Sequence, residues 1–379
     1  MKLLKNRISA PFIIQILLYL FVNMLFILKY FPRAGADSQA ILAVYVALFL
    51  TAVILFNVFS LKISERTFKR AFWITLSIII ILIVVFLIKI DRYSVRVDRW
   101  SAVTFFLEGL FKGNYPYGIH THVSETNFPS PFPVWHFINI PFYLMGDVGI
   151  GLIFFLLLTV ATVHYFFSSY KKSFIFLFLL IISPAYWWEV AVRSDSLSNA
   201  FLIFMFILWW HKSEKTIERN FIFAIITCGL LASTRLSAII PIAIFFFRPY
   251  LKLDWRRKII FPFGVLMVVA LTFSPFILWD TTTWMFFDRN PFMSQTSVGN
   301  FWVLSALIIL GIVSGLIWKN INQYIFITST FIFIFILTSQ LTLIATRGIN
   351  DSVFSDSLYD ISYFSLLFPY ASCYISQKI

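Results

Sequence analysis

The chain has 379 residues, 60% of them hydrophobic and 12% charged, about half the charged share of an ordinary soluble domain. The net charge of +13 would suit nucleic acid, but the basic residues stand in short clusters between apolar runs, a pattern of membrane topology and not of a nucleic-acid groove. Cys228 and Cys373 lie far apart inside apolar runs, which excludes a CxxC metal site and a disulfide framework.

Taken from the start, MKLLKNR and the apolar run after it imitate a signal peptide, and Ala34-Gly35-Ala36 imitates a cleavage site. The run from Pro11 to Leu28 is longer than a typical signal core of roughly 7–15 residues, so a retained first helix is expected. Apolar runs then predict spans near 11–30, 39–60, 71–90, 148–169, 173–190, 197–211, 221–233, 237–249, 259–278, 298–318, 321–345 and 358–376. The fold class expected is an all-α polytopic membrane protein of about 12 transmembrane helices, a single transmembrane domain over 1–379 with an outer-face loop carrying interfacial helices. The seventh and eighth runs are short enough to be two halves of a broken helix.

With both termini in the cytoplasm and sides alternating, 19 of the 30 Lys and Arg fall inside, as the positive-inside rule requires. Only Glu65, Glu214, Glu218 and Asp254 of the 17 acids join them. Carboxylates therefore collect on the outer face. This arrangement keeps residues 91–147 on one side as a large outer loop. Pro133 to Met145, interrupted by His136, Asn139 and Pro141, is too short to cross about 30 Å of hydrocarbon. His136, Asn139 and Tyr143 recur at helical spacing and predict a polar stripe on a helix lying along the interface. A second interfacial helix is predicted from Asp98 to Lys112, with Trp100, Val103, Leu107 and Leu110 on one face, Asp98 at its start and Gly113-Asn114 at its end.

Five acids stand in this loop, Asp91, Asp98, Glu108, Glu125 and Asp147. Asp98-Arg99 is the first candidate for chemistry: a carboxylate under a covered surface can act as general base on a hydroxyl, and the adjacent Arg can pair with a phosphate. A helix N-cap beside a solvated Arg accounts for the same dipeptide, and Asp91-Arg92 at a span end reads as an interfacial pair. The second candidate is Arg193-Ser-Asp195 with Glu189 one turn earlier, where charges so near apolar segments require partners or a polar cavity; an Arg193–Asp195 ion pair meets that need equally. Arg235 is the third, standing between the two short runs, where a broken helix exposes backbone groups and a lone buried Arg calls for an anion or for an acid on another helix. His120, His122 and Glu125 have the residue types of a divalent-metal site, but their spacing matches no strong signature, so a polar loop is the simpler reading. Asp280, Asp288-Arg289, Arg347, Asp351 and Asp356 add outer-face charges read as solvated.

The order of these features resembles the GT-C superfamily, integral-membrane glycosyltransferases that take sugars from polyprenyl-phosphate donors. The resemblance is carried by Asp98-Arg99 after a span, Glu-Gly-Leu-Phe-Lys-Gly-Asn-Tyr-Pro-Tyr (108–117), Phe-Pro-Ser-Pro-Phe-Pro-Val-Trp (128–135), Arg193-Ser-Asp195 opening a span and Ser233-Thr234-Arg235 at a helix break. It covers a GT-C-like module of residues 71–250. It implies Asp98 as catalytic base, Asp195 as a second catalytic acid, and Arg235, with Arg193 and Arg99, as donor-phosphate contacts. No paired Asp-x-Asp or Asp-Glu stands at 98, so no cofactor is assigned and a divalent metal stays an open alternative. The implied partners are a lipid-linked sugar donor, a lipid, glycan or protein acceptor, and membrane lipids, in a cell membrane with the chemistry on its outer face. A multi-pass transporter or lipid flippase is the rival from another class, since broken helices suit one, although the charges sit at the outer boundary and no internal repeat is visible. A polysaccharide polymerase or ligase would also use lipid-linked sugars, but with its large loop late in the chain.

Overall fold

Proline, glycine and asparagine punctuate the apolar runs, and several helices begin or end beside them, as at Gly113, Pro133, Pro184, Asn220 and Asn320. The computed structural model of the chain describes residues 9–32, 35, 37–59, 63–279, 285–288, 290–296, 301–355 and 361–379. Asp280, Arg289, Asp356, Ala34 and Ala36 lie outside the described residues. The fold is all-helical, 80% of it helix and without strands among the described residues.

In chain order the helices are α1 (Ala10–Tyr30), α2 (Ser38–Phe59), α3 (Glu65–Lys89), α4 (Arg99–Phe111), α5 (Pro133–Leu144), α6 (Ile150–Phe167), α7 (Tyr170–Ile181), α8 (Pro184–Ala191) and α9 (Asp195–Lys212). They continue as α10 (Phe221–Ala232), α11 (Leu236–Leu251), α12 (Trp255–Ile277), α13 (Met285–Asp288), α14 (Pro291–Thr296), α15 (Phe301–Ile317), α16 (Ile321–Ile349) and α17 (Phe368–Lys378). Six are long and apolar enough to cross a membrane, or seven if a bent pair counts as one span, consistent with a multi-pass membrane protein. Phe221–Ala232, Leu236–Leu251 and Val303–Ile317 are apolar but shorter.

Two units divide the chain: Met1–Lys89, Leu156–Ala191 and Trp318–Ile379 form the first, Ile90–Phe155 and Val192–Ile317 the second. In the first, residues 173–190, expected as one span, bend by 67° between α7 and α8. Pro184 cannot continue the α7 ladder and disfavours helical backbone at the residue before it, and Ser183 belongs to neither helix. The groups freed by the bend are met by α1: Asn23 Oδ1 accepts from Ser183 Oγ at 2.6 Å and from the Ala185 N–H at 3.2 Å. Gln15 on α1 joins α16 through Ser329 Oγ at 2.8 Å and Thr330 Oγ1 at 3.2 Å, the side-chain hydrogen bonding by which helices associate where lipid offers no hydrophobic drive. The last expected span is instead a 3₁₀ turn, Ile361–Leu367, running into α17, and its residues from Phe368 to Ser376 are buried.

In the second unit both loop helices form where periodicity predicted them. Gly113 ends α4 at φ +73°, and the Asn114 N–H returns to the Gly109 carbonyl at 2.9 Å, a helix-terminating bond that a left-handed glycine permits. The expected polar stripe on α5 departs from expectation: His136 and Asn139 are buried inside the protein. Asn139 satisfies itself by donating to the Trp135 carbonyl at 2.8 Å, so its burial leaves no donor unmet on that side.

The second unit also holds the break that sequence expected, α10 and α11 separated by Ser233-Thr234-Arg235. Gly229 on α10 lets α12 approach: a Cβ there would lie 2.5 Å from Val268 Cβ and 3.1 Å from the Val265 carbonyl oxygen. Gly229→Ala therefore lowers the thermal midpoint in detergent by an amount corresponding to about 1–3 kcal/mol of overpacking, against the roughly 1 kcal/mol that Ala gains in helix propensity. A midpoint equal to or above the wild type would show that α12 yields without strain.

Candidate functional site

Breaking a helix inside an apolar protein exposes carbonyls at the end of one half and N–H groups at the start of the other. Several of these groups have partners within the second unit. The Thr234 carbonyl accepts from Phe132 N–H at 2.9 Å and the Ser233 carbonyl from Val134 N–H at 3.1 Å. Ser233 Oγ receives Thr272 Oγ1 at 2.9 Å, and Leu236 N–H donates to Gln295 Oε1 at 2.9 Å. The Pro-rich segment before α5 is thus fixed against the break. Arg235, at the N-cap of α11 with extended backbone, is 2% exposed.

That burial is tolerable because the guanidinium has an acid to meet. Arg235 Nη1 donates to Asp195 Oδ2, both side chains being buried. Asp195 is the first residue of α9, behind Ser194, whose Oγ accepts from Leu197 N–H at 3.2 Å. Arg99 reaches the same helix start and donates from Nη1 to Ser196 Oγ at 2.8 Å. Asp98 completes the group: Arg99, Asp195 and Arg235 all act on its carboxyl electrostatically. Asp98, Arg99, Asp195 and Arg235, read separately from the sequence, converge on one place.

Asp98 stands at the N-cap of α4, yet its side chain makes no cap hydrogen bond. The alternative of a simple helix cap therefore falls. Burial pushes its carboxyl above the ordinary carboxylate value; Arg99 pulls it down, Asp195 pushes it up and Arg235 pulls it down again. The residue keeps partial exposure, so the carboxyl is desolvated without being sealed. His136 is fully buried, its ring stacked on Phe106 with centroids 3.5 Å apart. Burial holds its pKa down at about 3, the carbonyl of Pro131 opposing and Arg235 assisting. The imidazole is consequently neutral, with Nε2 donating to Pro131 at 3.1 Å and Nδ1 without a hydrogen-bond partner.

Arg193 is a correction. Expected beside Asp195 or a phosphate, it turns instead to the two ends of the 91–147 loop. Its Nε donates to Asp147 Oδ2 at 2.8 Å and its Nη2 to the Ile90 carbonyl at 3.1 Å. Asp147 in turn caps the turn before α6, accepting from Gly149 N–H at 2.8 Å. Arg193 holds this place in left-handed backbone, φ +53°, which costs an L-residue with a side chain about 1–2 kcal/mol. The turn aims Ser194 and Asp195 into α9. Glu189, read with Arg193 in sequence, is buried on α8 in the first unit; Arg347 and Asp351 are exposed.

His120, His122 and Glu125 do not assemble a metal site. His122 spends both ring nitrogens, on Ser101 Oγ at 2.7 Å and the Val95 carbonyl at 2.9 Å, while His120 lies against Phe128 and Glu125 is exposed. Among the described residues no group of three His, Cys, Asp or Glu is placed to hold a metal ion. Arg92, expected at the interface, stacks over Trp100 at 5.0 Å. Sequence reading missed Ser196, Asn199 and Gln295, and counted Asp147 among the loop acids without a role. Ser196 was adjacent to a candidate; Gln295 sits in a segment with no periodic signal and could be found only through its partners.

No family of known proteins, no curated protein and no solved structure matches this chain.

Two outcomes follow from these contacts. Arg193→Met lowers stability by about 2–4 kcal/mol, the penalty for stranding a charge whose partner is removed, towards the lower end because the Asp147 side chain retains 22% exposure; chemical denaturation in detergent reads it, and a loss no larger than a surface substitution would refute the clasp. For Asp98, a raised pKa means the folded chain holds its proton more tightly than the unfolded one, so stability falls as pH rises through the interval between the two values. Asp98→Asn removes that loss. Its thermal midpoint exceeds the wild type at pH 8, and the gap closes as the pH approaches 4; a constant gap would contradict the desolvated carboxyl.

Proposed function

We propose that this chain is a membrane glycosyltransferase of the GT-C type, moving a sugar from a polyprenyl-phosphate donor to an acceptor hydroxyl at the outer face of a cell membrane. The observation that carries the reading is the convergence of Asp98, Arg99, Asp195 and Arg235 at the start of α4, α9 and α11. A base is needed where hydroxyl oxygen becomes a nucleophile, and cations are needed where a phosphate departs. Both kinds of group stand together here, against apolar helices that suit a lipid tail.

In this reading the Asp98 carboxylate takes the hydroxyl proton while the oxygen attacks the anomeric carbon. The bond from that carbon to the phosphate oxygen breaks, the polyprenyl phosphate leaves with the electron pair, and the anomeric configuration inverts. A desolvated carboxyl is the better base for this, since its affinity for the proton is raised towards that of the group it must deprotonate. Arg235 and Arg99 neutralise the departing phosphate, and Asp195 holds Arg235 in place until it arrives. Arg193 is left out of this chemistry, its fork being engaged at the loop ends. A multi-pass arrangement with both termini cytoplasmic completes the proposal, supported by the distribution of Lys and Arg. The acceptor is a lipid, glycan or protein hydroxyl.

The transporter reading draws on the broken helices α7–α8 and α10–α11. Reconstituted membranes given polyprenyl phosphates bearing radiolabelled sugars separate the two. Transfer to an endogenous acceptor is expected from the wild type and falls by about 10²-fold or more in Asp98→Asn, with the protein still folded by its thermal midpoint. Retained transfer in that variant removes Asp98 as base, and no transfer from any donor in the wild type removes the enzyme reading.

A further inference from the structure

The N–H groups at the start of α11 point, with the positive end of the helix dipole, towards whatever occupies the break. One of them is already engaged. Leu236 N–H, directly after Arg235, donates to Gln295 Oε1 at 2.9 Å. The same carboxamide donates through Nε2 to the Ser130 carbonyl, so one neutral side chain bridges the break and the Pro-rich segment. Gln295 is carried by α14, whose Phe292 ring sits 4.5 Å from that of Phe132 and 5.0 Å from that of Phe273. A neutral oxygen thus stands at the head of a 16-residue helix beside a buried guanidinium, a position suited to an anionic oxygen.

A second observation points to the same place. Asn199 follows Asp195 by one turn of α9, so the two side chains leave the same face. It is 1% exposed, and its Nδ2 has no hydrogen-bond partner. A buried amide donor left unmet is rare in folded proteins. Asn199 thus leaves α9 on the face that carries Asp195, the partner of Arg235.

We propose that Gln295 Oε1 is an internal stand-in for a phosphate oxygen, and that a phosphate head group entering the break displaces it from Leu236 N–H and takes Asn199 Nδ2 as a further donor. This rests on the donor-phosphate reading and adds to it an occupant that must be removed for the site to fill. The device keeps the helix start satisfied when no ligand is present. Gln295 consequently competes with the ligand and sets its affinity.

The test uses the full chain in detergent, titrated with farnesyl phosphate and separately with inorganic phosphate, with hydrogen exchange followed on the peptide containing Leu236. Gln295→Ala should speed exchange at Leu236 without ligand and tighten farnesyl phosphate binding by roughly threefold to tenfold. Gln295→Glu places a fixed carboxylate where the phosphate would sit and should weaken binding by about tenfold or more. If Gln295→Ala weakens binding as Gln295→Glu does, or leaves both affinity and exchange unchanged, the stand-in is overturned. Farnesyl phosphate that binds the wild type, is lost in Arg235→Gln and is indifferent to Gln295→Ala removes the stand-in alone and leaves the donor reading intact. Failure of farnesyl phosphate to bind the wild type and Gln295→Ala alike removes both. Inorganic phosphate binding as tightly as farnesyl phosphate, with the expected response to Gln295, supports the stand-in and overturns the lipid as its source.

Discussion

A helix broken inside an apolar protein sets the terms for everything around it. Ser233, Thr234 and Leu236 present backbone groups that lipid cannot satisfy, and the second unit meets them with Phe132 and Val134 from the Pro-rich segment and Gln295 from α14, while Thr272 from α12 bonds the Ser233 hydroxyl. These bonds fix the extended backbone of Arg235, and the guanidinium then requires Asp195. The start of α9 is aimed there by the left-handed turn at Arg193. One unsatisfied stretch of main chain thereby determines where three distant segments come together.

The charges gathered at this point carry a tension between stability and chemistry. Two guanidinium groups face two carboxylates, and one of those, Asp98, is desolvated enough that its ionised form is disfavoured. A fully neutralised cluster would be the more stable arrangement, as buried pairs are tolerated only when complete. Leaving Asp98 uncapped at the head of α4, partly open and poorly solvated, is destabilising in isolation. Such local inconsistencies are concentrated at sites of function in folded proteins, and this supports the proposed base more than the residue's type does. His136 shows the complementary choice: next to Arg235 the imidazole stays neutral, adding no third cation.

Arg193 and Arg235 illustrate why residue type alone misassigns roles. Both stand between helices and both are buried. Arg193 has its fork engaged by Asp147 and the Ile90 carbonyl, tying the two ends of a loop of more than fifty residues to one helix start. Arg235 has a single acid, at a helix break that leaves it donors to offer. The difference lies in the partners supplied by segments 40 to 103 residues away, which no local pattern reports.

Hydrophobic periodicity was enough to read the helical class, the membrane character, the interfacial-length helices at 98–112 and 133–145 and the break near Arg235, because each depends on the local spacing of apolar residues against Pro, Gly and Asn. The bend at Ser183-Pro184 was also written locally but was overridden by the length of the apolar run around it, and the burial of His136 and Asn139 was hidden because a polar stripe reads alike whether water or protein covers it. Charge type marked Asp98, Arg99, Asp195 and Arg235 as candidates without saying that they meet. Their convergence, the diversion of Arg193 to Asp147 and the placement of Gln295 over Leu236 were decided by tertiary structure alone. Side chains far apart in sequence are brought within hydrogen-bonding distance by the need to satisfy buried backbone groups, and that need acts through space and not along the chain.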